Sequence, residues 1–298
     1  MKFTKLNILS IIELSFYAPT TVLSLFLCIR HCCRGQRSQI AWIFLYLYCH
    51  IRVAEAALGL ATITSPSVAV YGTSILFSLI GVPTLFLTTL GLLNRVYIAH
   101  EKKYPTNIKA GYFWLLQIPL EAAIGICARG ASNSTTELSN GPYRVQILTK
   151  VGVALCTFGF LVMVIFTCCI GRRQSHLEPN KWRLLHTVIR SIPFLFIRLM
   201  YTILTTFMDR NVFRTYEGNV LVIGLMAVLP EMIVVVVYVV EGFMMPRLEK
   251  DKRKKRKGGR KSGWPSGPEL LDDVSITKTD SELGWKDADD GSSRISRI

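Results

Sequence analysis

The sequence predicts an all-α fold: a bundle of seven transmembrane helices followed by a disordered C-terminal tail. Three observations carry this reading. Half of the 298 residues are hydrophobic, and mean hydropathy is +0.36. The apolar residues gather into seven runs of roughly 20 residues or more, the length that crosses a bilayer core at 1.5 Å per residue. Beyond residue 247 such runs stop, and a basic stretch gives way to a Gly-, Ser- and acid-rich end.

The seven runs cover about 8–29, 40–63, 69–97, 108–128, 148–170, 185–207 and 219–245, so residues 1–247 form the membrane domain. The third and seventh are long enough to tilt or protrude. The first lacks a small-residue cleavage site after it and reads as a retained anchor rather than a signal peptide. Residues 248–261 form a polybasic juxtamembrane segment, and 262–298 a tail too polar to build a core.

The net charge of +15 is local. Ten Lys and Arg lie between Arg247 and Lys261. Directly after a transmembrane helix, such a run reads as a cytosolic stop signal that touches anionic lipid headgroups through Lys250–Lys261, not as a nucleic-acid site. Ser and Thr in the acidic tail offer phosphorylation sites that would weaken this grip.

Orientation follows from the loops. The first, third and fifth hold nine Lys and Arg, while the N-terminal stub and the second, fourth and sixth hold six. The positive-inside rule therefore places the N-terminus lumenal or extracellular and the C-terminus in the cytosol. The sequon Asn133-Ser134-Thr135 falls in the fourth loop, on the lumenal side, where a glycan can be added. Plasma membrane and secretory-pathway membranes both fit. Cys32, Cys33, Cys168 and Cys169 sit at cytosolic helix ends. There they are candidates for S-palmitoylation, against the plainer reading of inert small apolar side chains. No Cys or His spacing suggests a metal, and no motif implies a cofactor.

Charges inside the runs are the main functional signal, because an ionisable group at mid-bilayer costs a few kcal/mol and normally faces a partner. Arg52 and Glu55 lie near the middle of the second helix, Arg198 of the sixth and Glu231 of the seventh. Arg52 and Glu55 are three residues apart and share a helix face. Two arginines and two glutamates at one depth can form a neutral midplane cluster. Tyr201 and Tyr238 fall at helical spacings from Arg198 and Glu231 and are expected to line the same cavity. Glu13 and Glu121 are secondary acids in the outer halves of the first and fourth helices. His50 faces elsewhere. Arg95, Arg190 and Glu241 lie nearer the cytosolic interface, where they can snorkel. Pro19, Pro83, Pro119, Pro193 and Pro230 interrupt five helices, several beside these charges, and predict kinks or hinges. The cluster reads either as a polar site for a small amphiphile or as a salt-bridge network that sets helix register.

Several stretches resemble a known family when taken together. They are IIELSFYAPTTVLSLFLCIRH, HIRVAEAALGLATI, LGLLNRVY, IPFLFIRLMYTILTTF and NVLVIGLMAVLPEMIVVVVYVVEG. Their order resembles a fungal seven-helix integral membrane family of unknown function, over about residues 5–245. Glu13, Arg52, Arg198, Tyr201 and Glu231 match its polar positions. The layout is also similar to RTA-like fungal lipid-translocating or stress-resistance proteins, a likeness of fold only. The resemblance implies a fungal source and a seven-helix fold, with no activity.

Three functions remain in play. Binding or moving a small amphiphile or lipid suits the midplane charges best. A G-protein-coupled-receptor-like sensor suits the helix count and orientation, and Asn94-Arg95-Val96-Tyr97 echoes an Asp-Arg-Tyr motif. However, no Asn-Pro-x-x-Tyr closes the seventh helix. A terpene cyclase-like membrane enzyme suits the buried acids, but arginines beside them favour the ionised form over a proton donor. No nucleophile–base constellation marks another enzyme class, and a retinal protein lacks its lysine in the seventh helix.

Overall fold

The computed structural model describes residues 5–32, 40–64, 67–101, 111–138, 147–172, 179–208 and 220–245. The polybasic segment, the acidic tail and Cys33 lie outside these residues. Seven helices follow one another: α1 (Lys5–Cys32), α2 (Ile40–Ala61), α3 (Val68–Glu101), α4 (Gly111–Leu138), α5 (Ile147–Gly171), α6 (Pro179–Phe207) and α7 (Val220–Met244). No strand occurs among the described residues. Six of the helices are long and apolar enough to cross a membrane; α4 is not one of the six.

Apolarity marks the span, not the helix. α1 and α6 begin before their apolar runs, and α6 starts on Pro179, a residue suited to a first helical position. α4 runs ten residues past its expected end at 128, through polar RGASNSTTEL, to Leu138. Asn133 of the sequon therefore lies on helical backbone and not in a loop. Nothing in the apolar pattern could show this, because a helix continues into polar sequence until something breaks it.

The helices close into a ring in chain order, α7 packing on both α6 and α1. α3 also reaches α5 and α6, which makes it the central strut. Every residue from 81 to 90 is buried. Such a helix has no lipid face, so its hydroxyls must be satisfied from within. Thr84, Thr88 and Thr89 each donate to the carbonyl four residues back, at 2.8, 3.1 and 3.0 Å. By contrast α1 leaves Ile8, Ile12, Val22, Phe26 and Ile29 exposed, and α5 leaves Phe158, Leu161 and Ile165. Those are faces a hydrocarbon solvent covers.

Close helix approach depends on small residues, as in membrane bundles generally. At Gly91 an added Cβ would lie 2.8 Å from Ala41 Cβ and 2.9 Å from Ala41 Cα, so α2 and α3 meet backbone to backbone. Gly91→Val is expected to push these helices apart and cost about 1–3 kcal/mol. Gly125→Val, which meets nothing within 4 Å, is the control. Thermal unfolding of both variants in one detergent checks this.

α7 is not a uniform helix. Its first turn, Val220–Ile223, is followed by a π-helical turn, Gly224–Val228, and then by α-helix from Leu229 to Met244. Leu229 N–H donates to Gly224 O, five residues back. Pro230 explains the change of pitch. It has no N–H to give to the Met226 carbonyl, and its ring clashes with that group in a regular helix. A π turn widens the helix locally and takes up one extra residue. The proline expected to kink the chain thus also shifts the register of everything before it against Glu231.

Candidate functional site

Five helices deliver the polar side chains. Pro230 and the π turn precede Glu231, which occupies the first α-helical turn after them and is 1% exposed. Each of its carboxylate oxygens takes a different arginine. Arg198 Nε donates to Oε1, and Arg52 Nη2 donates to Oε2. Arg198 and Arg52 are each 3% exposed. Arg52 Nη1 donates to Glu55 Oε2 at 2.5 Å, the i, i+3 pair expected on α2. Arg52 Nη2 also lies 3.8 Å from Glu13 Oε1 on α1. Arg198 Nη1 donates to Thr202 Oγ1 at 3.2 Å, and Arg198 Nη2 to Ser78 Oγ on α3 at 3.4 Å.

Aromatic rings wall the charges. The Arg52 guanidinium carbon is 5.5 Å from the Tyr17 ring centroid, and that of Arg198 is 5.5 Å from the Tyr201 centroid, within cation–π range. Tyr17 meets Tyr48 edge-on at 6.1 Å, and both are fully buried. Low dielectric strengthens each of these contacts and makes any unpaired member costly.

The structure brings Arg52, Glu55, Arg198, Tyr201 and Glu231 together. It adds Glu13, so that among the described residues the network holds three carboxylates and two guanidiniums rather than a matched four. Tyr238 does not join. Its hydroxyl sits 2.7 Å from Thr89 Oγ1. Seven residues carry it about 10 Å along α7 from Glu231, beyond hydrogen-bond reach. Glu121 is also apart: α4 packs on α3 and α5, and Glu121 accepts from Gln117 Nε2 at 2.6 Å on its own helix. Glu241 is buried rather than snorkelling, because α6 offers it Thr187 Oγ1 at 3.3 Å, with Arg183 at 3.9 Å. His50 faces outward against Tyr46, 4.7 Å between ring centroids. Cys168 and Cys169 are exposed free thiols. The side chains of Cys32 and Asn133 lie outside the described set.

Tyr17, Tyr48, Thr202 and Ser78 went unread in the sequence. A signal existed for three of them: each lies four residues from a network charge, Tyr17 from Glu13, Tyr48 from Arg52 and Thr202 from Arg198. Side chains at that spacing share a face. Ser78 has no such mark, since only the packing of α3 on α6 brings it near.

The network lies in the half of the bundle where α2 and α6 end and α1 begins. Glu55 is roughly 9 Å along the axis from the end of α2, and Glu13 roughly 12 Å from the start of α1. This fold and this network define a multi-pass integral membrane protein of the helical-bundle class, with a buried ion network carried on four helices. Within that class the chain belongs to the family described as Domain of unknown function (DUF7702), whose model matches residues 3–248. No curated protein and no solved structure matches the chain.

Proposed function

We propose that this protein binds, and moves or senses, a small amphiphile whose polar head docks at the Glu13–Arg52–Glu55–Arg198–Glu231 network. The observation that carries this reading is the network itself: five charges on four helices, enclosed where lipid would otherwise lie. Buried ion groups of that number rarely repay their desolvation as structure alone, since well-packed apolar replacements are often at least as stable. The π turn beside Glu231 supports the same reading, because such turns accompany functional sites in helices.

In this proposal the N-terminus is lumenal or extracellular and the C-terminus cytosolic, in the plasma membrane or a secretory-pathway membrane. The basic residues Lys250–Lys261 then face anionic lipid headgroups. A fungal source and an RTA-like layout belong to the same reading.

Isolation in native-lipid discs, followed by mass spectrometry of bound amphiphiles, tests it. Wild type is compared with Arg198→Gln/Glu231→Gln at equal yield, a pair of changes that removes one cation and one anion together. A molecule enriched in the wild type and depleted at least about tenfold in the variant is the expected result. Identical profiles would leave the network as a device that fixes helix register.

A further inference from the structure

Three carboxylates face two guanidiniums, and they do not share them equally. Glu231 takes both arginines, one on each oxygen. Glu55 accepts from Arg52 Nη1 at 2.5 Å. Glu13 meets only Arg52 Nη2, at 3.8 Å, which is beyond hydrogen-bond range and on an atom already bonded to Glu231. The surplus negative charge therefore falls on Glu13. Its side chain is 10% exposed, too enclosed for bulk water to solvate a lone carboxylate. In a low-dielectric slab such a charge is far costlier than in water.

The surroundings of Glu13 supply no further cation among the described residues. The helices packed against α1 are α2 and α7. The charged groups around Glu13 are Arg52 and Glu55 of α2, Glu231 of α7 and Arg198 of α6. Both arginines are committed to other carboxylates. Tyr17 lies one turn further along α1, and its hydroxyl meets that of Tyr48 at 3.4 Å.

Two features connect this place to water. Asn7, Ser10 and Glu13 follow one another at three-residue steps, so polar side chains lead from the start of α1 to the network. Asn7 is 6% exposed, and Ser10 lies against α2, where a Cβ on Gly59 would be 2.5 Å from its Oγ. This seam runs along the inward side of a helix whose outer side carries Ile8, Ile11 and Ile12. Independently, Arg52 Nε is buried with no hydrogen-bond partner among the described residues. Water satisfies a donor of that kind, and water also carries a proton.

We infer that Glu13 is a proton-exchange site: its carboxyl takes a proton from, and returns it to, the water at the end of the bundle where α1 begins. One O–H bond forms or breaks at Glu13, and no other bond changes. With the proton in place the network is neutral, two carboxylates against two guanidiniums. Without it the network carries one negative charge. The inference goes beyond the headgroup reading and holds whether or not an amphiphile docks at the network.

Infrared difference spectroscopy of the full-length protein in lipid discs, titrated up and down in pH, tests it. A protonated-carboxyl band is expected to survive above the pH range in which exposed carboxyls titrate, to fade at higher pH and to return on reversal. Glu13→Gln has the shape of the protonated acid and is expected to abolish the band. Glu55→Gln is expected to abolish it as well, because two carboxylates then match two arginines. Glu13→Asp assigns the group: it is expected to shift the band's frequency, whereas Glu55→Asp and Glu121→Asp leave it in place. If Glu13→Gln does not accumulate, Glu13→Asp carries the test. A wild-type spectrum without such a band, a band that does not respond to pH, or a band that shifts with Glu55→Asp or Glu121→Asp but not with Glu13→Asp overturns the proposal.

Discussion

Glu231→Gln is expected to destabilise the bundle by about 3–5 kcal/mol, the cost of leaving buried charges without their counter-ion. Glu231 is the only residue that forms an ion pair with both Arg52 and Arg198 among the described residues. An amide of the same shape has one acceptor oxygen and no charge. Arg198 then keeps Thr202, Ser78 and the Tyr201 ring, all neutral. Arg52 keeps Glu55 and Glu13, so the damage falls mainly on α6 and α7. Thermal unfolding in detergent, followed by tryptophan emission, reads the change. Glu121→Gln is the matched control. That carboxylate is exposed and bonded within α4, so its replacement should shift stability by no more than about 0.5 kcal/mol. Equal shifts in the two variants would show that Glu231 is not the keystone of the network.

Apolar replacement of the whole network is expected to have the opposite sign. Glu13→Met, Arg52→Met, Glu55→Met, Arg198→Met and Glu231→Leu together remove every network charge and keep similar volume. Desolvation of five ions is then avoided, and the variant should match or exceed the wild type in stability, by up to about 4 kcal/mol. It should also lose any amphiphile that the wild type retains. Stability and binding are thus predicted to move in opposite directions. A quintuple variant much less stable than Glu231→Gln would show instead that the charges specify how the helices pack.

The contrast between the two variants follows from one fact of low-dielectric media. Breaking a pair strands its survivor, whereas removing all members strands nothing. The same fact explains why the network spans several helices. Among the four helices that carry the charges only α2 brings a self-neutral pair, Arg52 and Glu55; α1 brings one acid, α6 a cation and α7 an acid. Each of α1, α6 and α7 therefore gains by meeting its complement across an interface.

Much of the fold was legible in the chain because bilayer thickness acts directly on sequence. A run of about 20 apolar residues states a helix and its approximate place without reference to any neighbour. The four midplane charges were legible for the same reason: a polar residue in such a run must find a partner, so Arg52, Glu55, Arg198 and Glu231 announced one another. Helix ends were less legible, since α4 continues through RGASNSTTEL on backbone hydrogen bonds that owe nothing to apolarity.

What the sequence by itself determined is six of the spans and four of the charges that had to be matched, because both are fixed by the cost of polar groups in hydrocarbon. What only the tertiary structure decided is the matching. Glu13 joins the network and Tyr238 leaves it; α3 takes the centre; and a π turn ahead of Pro230 accompanies the aim of Glu231 between two arginines. Those outcomes depend on which helix faces lie against each other and on a local change of helical pitch. A single helix cannot encode them, because its own period says which residues share a face but not which neighbour that face will meet.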